Sequence, residues 1–183
     1  MDISKYRKDF PLLNRDDSPI YLDSACMTLR PQEVIDSITE YYTDYPACGG
    51  RSVHKLSWQV TEKFEMARDS LRKFVGAEQP SEIVFTRNAT EGMNIVANGL
   101  RLKQGDHVLT SDKEHNANVV PWHHLSKYNG IRYDVLPPKD NYFFDIEALK
   151  ESLSSKTKLF SFVHTSNLDG HTNPAKEIIE ICH

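Results

Sequence analysis

The chain has 183 residues, of which 39% are hydrophobic and 26% are charged, a length and composition that suit a globular domain with a substantial core. Its net charge of -4, with no long run of one sign, argues against nucleic acid or an anionic membrane surface as a partner. No apolar run approaches the roughly 20 residues of a membrane span, and the first residues lack the apolar core of a signal peptide, so the predicted location is the cytoplasm.

Hydrophobic periodicity predicts a short strand, two helices and then four strand–helix pairs. In chain order these are a strand at 20–22, helices at 31–45 and 53–75, and the pairs 82–85 with 89–100, 107–110 with 118–128, 131–136 with 146–153, and 158–163 with 175–182. Repeated strand–helix units predict a three-layer α/β/α fold with a mostly parallel sheet. Ligands in such sheets bind at the carboxyl ends of strands, so residues that directly follow strands are the candidates for a site.

The first candidate is the start of the predicted helix at 89–100. Exposed N–H groups and the helix dipole at such a point favour an anion, typically a phosphate, and Thr90 adds a hydroxyl donor. The alternative is an ordinary helix cap, with Asn88 as N-cap and Glu91 completing a capping box. The segment contains no glycine-rich nucleotide motif, so nucleotide binding is not indicated.

His115 is the second candidate, because it lies between a predicted strand and a predicted helix. An imidazole there can stack on a planar cofactor ring and can relay a proton near neutral pH. The alternative is a histidine in a surface loop.

Three further segments have candidate residues in short loops. Asn167 follows a predicted strand and could donate a hydrogen bond to a ligand oxygen, although Ser-Asn and Asp-Gly pairs are also common in turns. Small residues around Ala25 and Cys26 let backbone amides approach a ligand, or simply form a tight turn. Arg51 follows two glycines and could bind a carboxylate or a phosphate, or could be a solvated loop arginine.

The histidines and cysteines do not form a metal-binding pattern. Cys26, Cys48 and Cys182 are scattered without a C-x-x-C pair, so they fit neither a disulfide framework nor a zinc site. His123 and His124 are adjacent on a predicted helix and cannot both face one metal ion. We therefore expect no bound metal.

Taken together, five segments strongly resemble the class V aminotransferase family, and most closely its SUF-type cysteine desulfurase branch, also called selenocysteine lyase-like. The segments are Tyr21–Ala25, Arg51–Ser57, Ile83–Asn94, Glu114–Trp122 and Ser166–Asn167. The E-H-x-A-N-x-x-P-W element is specific to that branch, whereas T-E-x-x-N is shared more widely. The resemblance covers essentially the whole chain.

The resemblance implies a fold-type I pyridoxal-phosphate enzyme, normally a homodimer with a longer chain. Residues 1–55 would be an N-terminal segment leading into the large domain. Residues 56–183 would be the first part of the pyridoxal-phosphate-binding large domain, so the three-layer fold is expected to be incomplete, without the remainder of that domain and the C-terminal small domain.

The resemblance also implies a cofactor site. The amides of Ala89 and Thr90, with the Thr90 hydroxyl, would hold the phosphate of pyridoxal 5′-phosphate. His115 would stack on the pyridine ring and act as the catalytic residue present in this chain, and Asn167 would hydrogen-bond the phenolic oxygen of the ring. Asn116 stands where the family usually has a second histidine.

Three residues match the substrate side of the family's site. Ala25 and Cys26 would lie near the carboxylate of an amino-acid substrate, and Arg51 matches an arginine near the substrate mouth. Cys26 replaces the usual small residue, and a Gly49-Gly50 loop replaces one that bears a histidine. These departures indicate a divergent subgroup.

The function implied is transfer of sulfur from L-cysteine, giving alanine and an enzyme persulfide, with a possible sulfur-acceptor protein in iron–sulfur cluster assembly. The Schiff-base lysine and the nucleophilic cysteine of the family have no match in residues 1–183, so we expect these residues alone to be inactive. They would be a fragment, or a second polypeptide would complete them. The alternatives are an aminotransferase or epimerase of the same family, and a non-catalytic truncated homologue that acts as a binding or scaffold protein.

Overall fold

A computed structural model describes residues 3–138 and 144–183. The chain divides into two compact units, Met1–Phe85 and Thr86–His183. The boundary at residue 55 that the family resemblance implies between the N-terminal segment and the large domain stays a prediction. None of the helices in the described residues is long and apolar enough to cross a membrane.

The first unit is helical. Its helices are α1 (Ser4–Arg7), α2 (Gln32–Asp44) and α3 (Lys55–Val75). The imidazole of His54 accepts the Ser57 N–H at the start of α3, and Gly76 ends this helix with a φ of 73°, a left-handed conformation that favours glycine. The two helices predicted at 31–45 and 53–75 are therefore confirmed.

The strands predicted at 20–22 and 82–85 are wrong. Residues 80–82 form a 3₁₀ turn, and Ile83 is extended but pairs with no neighbouring strand among the described residues. Its carbonyl oxygen instead accepts a hydrogen bond from the Arg68 guanidinium. Ile20 and Leu22 are 91% and 89% exposed. An apolar, β-branched run predicts an extended backbone, but a strand also requires a partner with which to form a ladder.

The second unit alternates helices and strands. In chain order it contains α4 (Ala89–Gly99), β1 (His107–Thr110), α5 (Val120–Asn129), β2 (Arg132–Val135), α6 (Ile146–Ser152), β3 (Thr157–Ser161) and α7 (Ala175–Cys182). The strands form a parallel sheet in the order β2-β1-β3. This confirms the predicted parallel sheet, although α5 begins two residues later than predicted, after a 3₁₀ turn at Asn116–Asn118.

Helices cover both faces of this sheet. Val108 and Leu109 are consecutive on β1 and therefore point to opposite faces. Val108 packs in a cluster with residues of α4 and α5, namely Ala97, Trp122 and Leu125, together with Ile131. Leu109 packs in a second cluster with residues of α6 and α7, namely Leu149 and Ile178, together with Leu136. The three-layer α/β/α prediction is confirmed for this unit.

His107, the first residue of β1, is buried. Its Nδ1 atom lies 2.9 Å from the Thr157 hydroxyl, and its Nε2 atom lies 3.2 Å from an Asp134 carboxylate oxygen without a well-aligned hydrogen bond. Burial lowers the pKa of His107 below its usual 6.5, and the Asp134 charge only partly opposes this.

We expect His107 to make the protein less stable as the pH falls. Below its usual pKa of 6.5 the unfolded chain binds a proton that the folded chain does not, so the free energy of unfolding decreases as the pH falls through that value. Urea unfolding between about pH 5.5 and 8 measures this dependence. The free energy of unfolding of His107→Gln should depend less steeply on pH than that of the wild type. The control His124→Gln, at an exposed position, should show the same pH dependence as the wild type. Parallel curves for wild type and His107→Gln would contradict the prediction.

Candidate functional site

The candidate site lies where β1 and β3 end. These strands are adjacent and parallel, so their carboxyl ends lie at the same edge of the sheet. The segment 111–118 follows β1, and the segment 162–173 follows β3. His115 and Asn167, both predicted from the sequence, belong to these two segments.

Glu114 joins the two segments. One carboxylate oxygen accepts hydrogen bonds from the Ser111 hydroxyl and, at 2.7 Å, from the Val163 backbone N–H just after β3. The other oxygen accepts a hydrogen bond from the Asn118 side-chain amide at 2.6 Å. A single half-buried carboxylate therefore accepts hydrogen bonds from three donors, two in the segment after β1 and one in the segment after β3.

Asn118 continues this network into the core. Its Oδ1 atom accepts hydrogen bonds from the Ser161 hydroxyl at 2.7 Å and from the Trp122 indole N–H at 3.1 Å. Asn118 is buried and Trp122 is completely buried, so these polar groups have little access to water as a substitute partner. The network Glu114–Asn118–Trp122 thus fastens the loop after β1 to β3 and to the α4/α5 side of the sheet.

This network was missed at the level of the sequence, where only His115 of the segment was singled out. One signal was present: Glu114, Asn118 and Trp122 are spaced by four residues, the spacing at which side chains of a helical turn lie on one face. The E-H-x-A-N-x-x-P-W element therefore combines one candidate ring-contacting residue with three residues that hold its loop.

His115 is exposed and immediately precedes the 3₁₀ turn. Its Nδ1 atom accepts the Ala117 backbone N–H at 3.0 Å, which leaves Nε2 to carry the proton of the neutral ring. The imidazole thus caps the turn through one nitrogen while its other nitrogen points away from that hydrogen bond. Its stacking role stays a prediction.

Asn167 lies at the exposed end of a compact loop. At the base of the loop, the buried Asn173 donates from its side-chain amide to the Val163 carbonyl at 2.7 Å and from its backbone to the His164 carbonyl at 2.8 Å. The Ser166 N–H bonds the His171 carbonyl at 2.9 Å. These bonds fix the backbone on either side of Asn167.

The first turn of α4 is capped by side chains and also exposes backbone N–H groups, the two features considered for it in the sequence. The Asn88 side chain caps the helix by accepting the Glu91 N–H at 2.9 Å, while the Glu91 carboxylate accepts the Arg87 N–H at 2.5 Å, one residue earlier than a regular capping box. This arrangement leaves the N–H groups of Ala89 and Thr90 without an acceptor in the described part of the chain. Both residues are exposed, so two N–H groups at the positive end of a helix are open to an anion.

Helix α4 packs against the 3₁₀ turn that follows His115. The candidate phosphate-binding element and the candidate stacking residue therefore belong to contacting elements of the same unit. The donor set, with two backbone N–H groups and a hydroxyl at α4, an imidazole after β1 and a carboxamide after β3, fits a phosphorylated aromatic ring with an oxygen substituent.

The predicted substrate residues lie in the first unit. Ala25 and Cys26 are exposed in a turn, in which the Cys26 N–H bonds the Asp23 carbonyl at 3.1 Å. Arg51 is exposed after Gly50, whose φ is 72° and whose N–H bonds the Thr61 hydroxyl at 2.8 Å. Their substrate roles stay predictions. Within residues 3–138 and 144–183, no three His, Cys, Asp or Glu side chains are grouped so that they could hold a metal ion.

Comparison with known proteins supports the sequence resemblance. The family model for class-V aminotransferases matches residues 20–183. A probable cysteine desulfurase from Synechocystis sp. is 39% identical over 97% of this chain and 44% of that protein. A cysteine desulfurase from Escherichia coli O8 is 38% identical over 99% of this chain and 46% of that protein.

A solved structure gives the same result for the fold. The apo structure of a cysteine desulfurase from Thermococcus onnurineus NA1 is similar with a TM-score of 0.89 and 34% identity, covering 99% of this chain and 45% of that chain. The present chain thus spans a little under half the length of the curated relatives that it matches.

Proposed function

The chain belongs to the class V aminotransferase family, and from that premise we propose that its 183 residues form the N-terminal part of a pyridoxal-phosphate-dependent cysteine desulfurase. The observation that carries this proposal is the pair of open N–H groups at Ala89 and Thr90, on a helix that packs against the turn after His115. The names of the matched relatives support sulfur transfer from L-cysteine as the reaction.

Pyridoxal phosphate, when bound, supplies a ring that withdraws electrons from the substrate's α carbon. In this proposal the chain's own residues bind and orient that ring. The N–H groups of Ala89 and Thr90 and the Thr90 hydroxyl hold the phosphate, and the His115 imidazole covers one face of the ring. The Asn167 carboxamide donates to the ring's phenolic oxygen.

The residues that we propose bind the substrate lie in the first unit. Arg51 offers a guanidinium, and the turn at Ala25 and Cys26 offers backbone amides, for the carboxylate of the amino acid. The proposal also includes a homodimer or completion by a second polypeptide, a sulfur-acceptor protein as a partner, and a cytoplasmic location. No lysine among residues 1–183 has the sequence context of the family's Schiff-base lysine, so we propose that these residues alone do not turn over cysteine.

We expect the chain to bind pyridoxamine 5′-phosphate, which has no aldehyde and therefore forms no adduct with surface lysines. Thr90→Val should weaken this binding about tenfold because a hydroxyl donor to a charged phosphate is lost. His115→Ala should weaken it by roughly five- to tenfold because a stacking partner is lost. Fluorescence titration of the cofactor measures both dissociation constants.

The matched controls are Thr43→Val on α2 and His124→Ala on α5, both exposed and outside the candidate site. Each should leave the dissociation constant unchanged. In the same preparations, added pyridoxal phosphate and L-cysteine should yield no alanine by amino-acid analysis. Equal affinities for wild type, Thr90→Val and His115→Ala would overturn the proposed cofactor site, and alanine formed catalytically would overturn the proposed inactivity of residues 1–183.

A further inference from the structure

Two consecutive residues after β1 hold the loop that follows β3. The Glu114 carboxylate accepts the Val163 N–H at the start of that loop, and the Lys113 ammonium forms an ion pair of 2.5 Å with Asp169, six residues further along the loop. Asn167 lies between these two points of attachment, and His115 is the next residue after Glu114 along the chain. Contacts made by neighbouring residues therefore tie the segment that contains His115 to the loop that contains Asn167.

The Glu114 position requires a group that only accepts hydrogen bonds. Ser111, Val163 and Asn118 all donate to its two oxygens. A glutamine has one oxygen and one NH₂ group, so its NH₂ group would face a donor. Asn118 cannot rotate its amide to compensate, because its own oxygen already accepts from Ser161 and Trp122. The exchange of one oxygen for NH₂ therefore loosens the junction without changing its size.

We propose that Glu114 is a positioning residue that holds His115 and Asn167 in the relation that a cofactor ring requires, with Lys113–Asp169 as a second attachment of the same loop. This inference rests on the proposed function.

A double-mutant cycle between Glu114→Gln and His115→Ala tests the proposal with pyridoxamine 5′-phosphate as the probe. If Glu114 acts through His115, Glu114→Gln should weaken binding about fivefold in the wild type and less than about twofold in the His115→Ala background. Glu180→Gln, an exposed substitution on α7, is the matched control and should leave the affinity unchanged. Equal losses from Glu114→Gln in both backgrounds would show that Glu114 does not act through His115 and would overturn that part of the proposal.

Ligand-free measurements separate this inference from the proposed function. In Glu114→Gln, hydrogen exchange at the Val163 amide should accelerate by at least about tenfold, and the imidazole ¹⁵N signals of His115 should shift. Asp169→Asn, on the exposed side of the loop, should accelerate exchange within 166–170 while the core amide of Leu109 keeps its rate. If Thr90→Val and His115→Ala both leave cofactor binding unchanged, the proposed function fails, and these ligand-free signals alone decide the role of Glu114. Unchanged His115 and Val163 signals in Glu114→Gln would sink the positioning role, whatever the affinities.

Discussion

Trp122→Ala is expected to lower the free energy of unfolding by about 3–5 kcal/mol, the usual range for removing a buried aromatic side chain. The Trp122 side chain has 0% exposure and packs against Val108 of β1, Leu125 of α5 and Ile131 before β2. Alanine would leave a cavity at the centre of the α4/α5 face of the sheet and would leave Asn118 without one of its donors. Urea unfolding followed by circular dichroism at 222 nm measures the loss.

The chain provides a matched control, because its other tryptophan, Trp58 on α3, is 63% exposed. Trp58→Ala should cost less than about 1 kcal/mol, as surface substitutions usually do. Trp122→Phe should fall between the two, because phenylalanine keeps most of the apolar packing but cannot donate to Asn118. The packing of this face would have to be reconsidered if Trp122→Ala cost no more than Trp58→Ala.

Local sequence patterns were sufficient to predict most of the fold. The apolar stripe of α3 repeats with the period of a helix, and this helix formed where predicted. The alternating strands and helices of the second unit also formed close to their predicted positions. Residues 82–85 have the composition of a strand, but Ile83 finds no ladder partner in the described chain and bonds Arg68 instead. Strand pairing depends on distant residues, so composition alone predicts only the extended backbone.

The candidate site was predicted less completely, for the same reason. His115 and Asn167 follow strands, and the parallel-sheet rule places the ends of such strands together. The network around Glu114 is different, because Val163 is 49 residues away from it and Ser161 is 43 residues away from Asn118. A single sequence contains no local signal for such pairs. Only the spacing of Glu114, Asn118 and Trp122 indicated that these three side chains share a face.

Asn118→Leu is expected to lower the free energy of unfolding by about 2–3 kcal/mol, although leucine has nearly the same size. The buried indole N–H of Trp122 and the Ser161 hydroxyl would lose their acceptor, and an unpaired buried donor costs about 1–3 kcal/mol. One Glu114 oxygen would also lose its donor, but Glu114 is only half buried, so water can replace that bond. Urea unfolding of the variant measures the total.

Asn98→Leu on α4 is the matched control, because the Asn98 amide is exposed and donates to the Asn94 carbonyl one turn earlier. It should change stability by less than about 0.5 kcal/mol. If the lost indole bond dominates the cost of Asn118→Leu, that cost should shrink by roughly 1 kcal/mol in the Trp122→Phe background, where no indole N–H remains to be left unpaired. A cost that is the same in both backgrounds would show that the Trp122–Asn118 hydrogen bond contributes nothing to stability. The motif would then hold its loop through Glu114 and Ser161 alone, and the indole would serve only as apolar volume.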